Sequence, residues 1–254
     1  MKPRVGIFGL SGCWGEQIVI LNCEDQLLDL VGAIEITDFL GGSSVNDEEG
    51  PLDLAFVEGS VGSAREEAAL RRIRERAKLV VACGSCACFG GVAAMRNGSG
   101  RGEMLSLVYG PAGASYDAPP HRPLSDFVKV DAVLPGCPMD KEEFLRAVAC
   151  LLNGDRPQAT AYPVCAECKM QDRDCLLMSA GLPCVGPVTA AGCGALCPGY
   201  NVPCIGCRGL VDEANRHSMK DVLAKSGFTE QEILRRLRTF AAPVLDRLEQ
   251  EDRA

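Results

Sequence analysis

Residues 164–207 read VCAECKMQDRDCLLMSAGLPCVGPVTAAGCGALCPGYNVPCIGC. This stretch holds eight of the chain's fifteen cysteines: Cys165, Cys168, Cys175, Cys184, Cys193, Cys197, Cys204 and Cys207. It opens and closes on C-x-x-C, and glycine and proline fill much of the space between. Eight thiolates are the number that holds two 4Fe–4S clusters at four ligands each. Few of its side chains are suited to a hydrophobic core, so metal ligation is expected to supply the folding free energy that burial cannot. C-x-x-C pairs also build tetrahedral zinc sites. The wide Cys175–Cys184–Cys193 spacings and the glycine content favour clusters over zinc.

Working outward, the 254-residue chain is 47% hydrophobic, enough for one sizeable core and a smaller satellite. Net charge is −8, which argues against nucleic acid and against an anionic membrane surface. No apolar run approaches the roughly 20 residues that span a bilayer. The N-terminus, MKPRVGIFGL, enters a strand-like run at once, with no twin arginine and no cleavage site, so a cytoplasmic location is expected. In a reducing compartment fifteen cysteines point to metal rather than disulfides, and an odd number cannot all pair within the chain.

Upstream, strands alternate with helices. RVGIFGL (4–10), AIEITDFL (33–40), PLDLAFVEGSV (51–61), KLVVACGSCACFGG (78–91) and VDAVLPGCP (130–138) read as strands running into turns. EQIVILNCEDQLLDLV (16–31) reads as one helix with Ile18, Ile20, Leu21, Leu27, Leu28 and Leu30 on its apolar positions. Residues 63–77 and 140–154 read as helices capped by Ser63 and Asp140, with Gly154 at the end of the second. Residues 92–127 read as a long connection with a short helix. Residues 212–254 read as a cysteine-free helical packing arm, with Thr229 and Glu232 forming a capping box. The alternation implies an α/β fold, a parallel sheet with helices on both faces. The expected division is 1–160 for the sheet domain with a cluster of its own, 161–211 for an irregular two-cluster domain and 212–254 for the helical tail.

In such sheets ligands sit beyond the carboxyl ends of the strands. Cys13, the Cys83/Cys86/Cys88 group and Cys137 all follow strands, which predicts a third cluster at that edge. Cys23 and Cys150 read as buried structural cysteines. His121 and His217 have no ligand partner at suitable spacing. Arg208, beside Cys207, reads equally as a surface residue or as a charge near a cluster.

The blocks G-C-W-G (12–15), F-V-E-G-S-V (56–61), G-S-C-A-C-F-G-G (84–91), P-G-C-P (135–138), Y-P-V-C-A-E-C (162–168), G-P-V-T-x-A-G-C (186–193) and C-I-G-C-R-G (204–209) together resemble the small subunit of NiFe hydrogenases. The likeness is strongest to the delta-type subunit of cytoplasmic, sulfhydrogenase or NAD(P)-linked enzymes, and it runs through nearly the whole chain. The resemblance implies a flavodoxin-like front domain and three iron–sulfur clusters, 4Fe–4S in type. The proximal cluster maps to Cys13, Cys86 and Cys137, the distal to Cys165, Cys168, Cys175 and Cys184, and the medial to Cys193, Cys197, Cys204 and Cys207. It implies a large-subunit partner carrying the active metal, and a flavin/NAD(P)-binding or iron–sulfur subunit as electron acceptor or donor. The chain would relay electrons and hold no catalytic residue of its own. One block departs from the pattern: the family's C-x-G-C reads C-W-G-E, with Glu16 in place of a cysteine. Glu16, Cys83 or Cys88 is then the fourth proximal ligand, or the cluster is altered. Trp14 beside it would shield the cluster or pack on the partner. A relay in a nickel-free complex related to respiratory complex I is the alternative, and a zinc-bound structural or assembly protein is a third.

Overall fold

Apolar β-branched runs make the centre of the fold. The computed structural model describes residues 2–116, 118–158 and 160–252, apart from the side chains of Leu27 and Arg101. Its elements run β1 (Arg4–Gly9), α1 (Gly15–Leu21), α2 (Glu24–Ala33), β2 (Glu35–Phe39), β3 (Leu52–Glu58), α3 (Ala64–Arg76), β4 (Ala77–Cys83), α4 (Gly84–Phe89), α5 (Arg101–Tyr109), β5 (Ala132–Leu134) and α6 (Lys141–Leu152). Then follow α7 (Val164–Met170), α8 (Leu176–Ser179), α9 (Leu196–Gly199), α10 (Arg216–Lys225), α11 (Glu230–Arg238) and α12 (Ala242–Glu251). The strands form one parallel sheet in the order β2-β1-β3-β4-β5, the doubly wound flavodoxin-like order.

Alternate residues of each strand feed opposite faces. Val5, Ile7, Leu54, Phe56 and Val81 pack under α1, α2 and α6 with Ile20, Leu30, Phe144 and Val148. Ala55, Val57, Val80 and Ala82 face α3 with Leu70 and Ile73. The Phe56 and Phe144 rings meet edge to face at 5.2 Å. Ser63 and Asp140 cap α3 and α6 through the backbone N–H groups of Glu66 and Glu143.

Two expectations need correcting. The single helix over 16–31 is two, broken at Asn22 and Cys23, and Cys23 is driven into the core. On α1 the buried positions are Glu16, Gln17 and Ile20, while Ile18 and Leu21 face solvent. The side chain of Leu27 lies outside the described residues. The cysteine-rich segment, too, is not devoid of a core. Val164, Leu177, Val185 and Val188 pack with Met219, Leu223, Ile233, Leu237 and Leu245 of the three last helices. The tail thus supplies apolar surface that residues 164–207 lack. Thr229 and Glu232 form the full capping box at the start of α11. No helix among the described residues is long and apolar enough to cross a membrane.

Candidate metal centres

The carboxyl edge of the sheet gathers the first group. Backbone bonds between Ser11 and Ser60 tie the turn after β1 to the turn after β3. The Glu66 carboxylate accepts from Ser11 Oγ and Gly62 N–H, fixing the same turn against the start of α3. Trp14, in the left-handed region at φ 67°, then turns the chain into α1. Cys13 is exposed in this turn, Cys86 lies partly buried on α4, and Cys137 follows β5. Burial pushes the Cys86 thiol up to about 11, with the Glu16 and Cys13 charges beside it. Burial pushes Cys137 up to about 12, with Glu16, Cys86, Cys207 and Cys13 adding to it. Cys13, Glu16, Cys86 and Cys137 are therefore neighbours.

Glu16 is buried, and its carboxyl is pushed up to about 8 by burial, then by the charge and hydrogen bond of Glu58. Glu58 ends β3 and is 2% exposed. Its Oε2 accepts from Gln17 Nε2 at 3.1 Å, and its Oε1 is buried without a donor. A proton held on Glu16 is the donor this strand end lacks. Ligand atoms of Cys13, Glu16 and Glu58 all lie within 4.8 Å of one another. Sequence reasoning passed over Glu58; the signal was a charge closing the apolar run Leu54–Val57. Cys83 and Cys88 border the same site, within reach of the Glu16 charge, but each thiol is turned to a strand carbonyl. Cys83 sits in the core with its thiol on the Val81 carbonyl at 3.8 Å, and burial raises its pKa well above the thiol range. The Cys88 thiol turns back to the Ala82 carbonyl at 3.5 Å.

The second group is Cys165 and Cys168, one turn apart on α7, with Cys175 before α8 and Cys184. Burial raises Cys165 to about 11, with Cys184, Cys168 and Cys175 adding to it. A Cβ at Gly186 would lie 3.5 Å from both the Cys165 and Cys184 sulfurs, so this glycine keeps the space between them open. The third group is Cys193, Cys197, Cys204 and Cys207. Burial raises Cys207, with Cys193 and Cys197 beside it. Burial raises Cys204 to about 12, with Cys184 and Cys207 beside it. Groups of four cysteines near enough to act on one another's thiols supply the donors that iron–sulfur clusters take, so the residues present fit that cofactor.

The groups adjoin in the order first, third, second. Ser85 Oγ donates to the carbonyls of Gly136, beside Cys137, and of Cys207. Cys204 N–H donates to Cys184 Sγ at 3.3 Å. Glu167, buried between Cys165 and Cys168, accepts from Gly192 and Ala195 N–H at 2.8 and 3.0 Å and faces Cys193 Sγ. Arg208 is buried, not a surface residue. His121 is buried with Nδ1 2.8 Å from Ser60 Oγ, while His217 is exposed near Asp252. Cys150 is only partly buried.

Residues 13–151 match the NADH ubiquinone oxidoreductase, 20 Kd subunit family. The chain is 40% identical over 238 residues to sulfhydrogenase 2 subunit delta of Pyrococcus furiosus, covering 94% of this chain and 99% of the relative. It is 32% identical to a subunit of the F420-non-reducing hydrogenase of Methanocaldococcus jannaschii, covering 92% and 91%. Among solved structures, a NAD+-reducing NiFe-hydrogenase matches 62% of this chain and 95% of its own, at 28% identity and a TM-score of 0.56. The Actinobacterial-type NiFe-hydrogenase of Ralstonia eutropha H16 shares the fold over 96% of this chain, with a TM-score of 0.60 at 18% identity. Five parallel strands, the cysteines at their carboxyl edge and this degree of identity place the chain in the hydrogenase small-subunit, delta-type branch of the NADH ubiquinone oxidoreductase 20 Kd subunit family.

Proposed function

We propose that the chain carries electrons through three iron–sulfur clusters between a hydrogenase-type large subunit and a flavin/NAD(P)-binding or iron–sulfur subunit, in the cytoplasm. The observation that carries this reading is that the three cysteine groups adjoin: Ser85 bridges the Gly136 and Cys207 carbonyls, and Cys204 N–H donates to Cys184 Sγ. Residues 1–160 would hold the proximal centre, residues 161–211 the other two, and residues 212–254 would cover the latter.

When bound, the clusters supply one-electron storage at each site. The chain's own residues hold, space and insulate them. Cys13, Cys86 and Cys137 are the proximal thiol ligands, and Glu16 is the fourth. The Cys83 and Cys88 thiols are turned to the Val81 and Ala82 carbonyls and would have to swing away from them to reach the open edge. Cys165, Cys168, Cys175 and Cys184 hold the distal 4Fe–4S cluster; Cys193, Cys197, Cys204 and Cys207 hold the medial one. Cys13 and Cys137 are exposed, and Trp14, Ile18, Leu21 and Leu40 expose apolar surface on the neighbouring turns and helix. That rim fits the large subunit as its cover.

The test is nickel and iron per copy of this chain, in complex purified anaerobically with its native partners. About one nickel and about twelve or more iron, three cubanes' worth, are expected. Abundant iron without nickel would move the chemistry to a nickel-free complex of the respiratory complex I kind. Absence of iron would sink the relay altogether.

A further inference from the structure

Arg208 follows Cys207 and is 2% exposed. Four of its five guanidinium N–H groups are engaged. Nε donates to the Ala191 carbonyl at 2.7 Å and Nη1 to the Pro135 carbonyl at 2.8 Å. Nη1 and Nη2 donate to the two Glu143 carboxylate oxygens at 2.7 and 2.8 Å. Ala191 lies two residues before Cys193, Pro135 lies two before Cys137, and Glu143 projects from the first turn of α6. One side chain thus ties the third cysteine group to the loop of the first. Gly192, at φ 113°, leaves room for it, since a Cβ there would lie 2.5 Å from Nη2.

A buried ion pair of this kind is weak evidence for stability, because desolvation offsets most of the attraction. A planar, five-donor fork is instead suited to fixing three segments at once. The guanidinium follows Cys207 directly and holds the Ala191 carbonyl two residues before Cys193, so its charge lies against that cysteine group, while Glu143 approaches it from α6.

We propose that Arg208 is a positioning residue for electron passage: it clamps the Cys137 loop to the Cys193–Cys207 group at a fixed separation, and its charge favours the reduced state of the centre held there. Gaining an electron makes that centre more negative, so a cation beside it stabilises the reduced form. The proposal rests on the cluster reading above.

The experiment is a potentiometric titration of the intact complex, with each centre followed by EPR and iron counted per chain. Arg208→Gln should lower the midpoint of one centre by about tenfold in its reduced-to-oxidised ratio, ~59 mV for one electron. Glu143→Gln should raise the midpoint of the same centre. Arg208→Lys keeps the charge without the fork; it should hold the midpoint and weaken magnetic coupling between that centre and its neighbour. If Arg208→Gln fails to assemble, the other two variants decide. Normal iron with midpoints that stay put, or that move in the same direction in the Gln variants at 208 and 143, would overturn this proposal alone. A parent complex without iron would overturn the cluster reading and the proposal with it.

Discussion

The carboxyl groups of Glu16 and Glu58 lie within 4.8 Å of each other and of the Cys13 sulfur, and both residues are buried. Two carboxylates that close cannot both stay ionised at low cost. Burial first, and the Glu58 charge and hydrogen bond after it, raise Glu16 from its ordinary 4.5 to about 8, so the folded chain favours a proton there.

That proton makes the metal-free protein sensitive to alkali. The group binds a proton more tightly folded than unfolded, so its stabilisation is complete below 4.5 and is lost as pH rises through about 8. The loss should be on the order of 2–4 kcal/mol between about pH 5 and 9, since each unit of difference is worth ~1.4 kcal/mol and Glu58 shares the effect. Urea midpoints of the metal-free chain at the two pH values measure it. Glu16→Gln should flatten the dependence. The same slope in that variant would place the proton elsewhere.

Restoring a thiol at the same place tests ligation directly. Glu16→Cys should alter the redox and EPR signature of one centre and leave the other two as they are. A carboxylate oxygen is harder than a thiolate and favours ferric iron, so the midpoint of that centre should rise on going to sulfur. Cys83→Ser should change no signature, because its thiol is held on the Val81 carbonyl inside the core. If all three signals survive Glu16→Cys unchanged while Cys83→Ser alters one, the fourth ligand is Cys83.

Much of this arrangement is legible from the residues alone. The β-branched runs at 4–10, 51–61 and 78–91 announce strands, and a cysteine after three of the strands marks the edge where a site forms. The eight downstream cysteines announce a thiolate-rich segment, while their division into two sets of four is what the family resemblance implies. Periodicity misleads on α1. Ile18 and Leu21 read as a core stripe, yet Ile18 is 51% exposed while Glu16 and Gln17 are buried. The buried carboxylate and amide at this helix start pair with Glu58 rather than with water, a partnership that hydrophobic periodicity does not report. Glu167 escapes, and Arg208 is legible only as one of two alternatives, for another reason. Their roles depend on Gly192, Ala195, Pro135 and Glu143, residues brought to them only by the folded chain.

Glu167 gives a prediction of its own. Its carboxylate satisfies the buried N–H groups of Gly192 and Ala195, which flank Cys193. Glu167→Ala leaves both without an acceptor, at about 1–3 kcal/mol for each. The variant should release iron to a ferrous chelator markedly faster than the parent, and first from the centre that contains Cys193. Glu167→Gln keeps an acceptor oxygen and should fall between the two. An unchanged release rate in the alanine variant would show that Cys193 is held by other means.

The sharpest steric prediction concerns Gly91. Its backbone, at φ 61° and ψ −160°, is open essentially to glycine alone. A Cβ there would lie 2.4 Å from Cys86 Sγ and 2.7 Å from Cys86 Cα, so relief must come from the very loop that presents this thiol. Gly91→Ala should cost the complex about a third of its iron, the share of one cubane in three, with the signals of the other two centres intact. Gly102→Ala is the matched control. It lies in α5 with nothing within 4 Å of the added carbon, so exchanging glycine for alanine should leave iron unchanged and favour the helix by about 1 kcal/mol. Full iron in Gly91→Ala would mean that Cys86 can move aside without releasing the metal, and that the Cys86 loop is not the rigid wall of the proximal site.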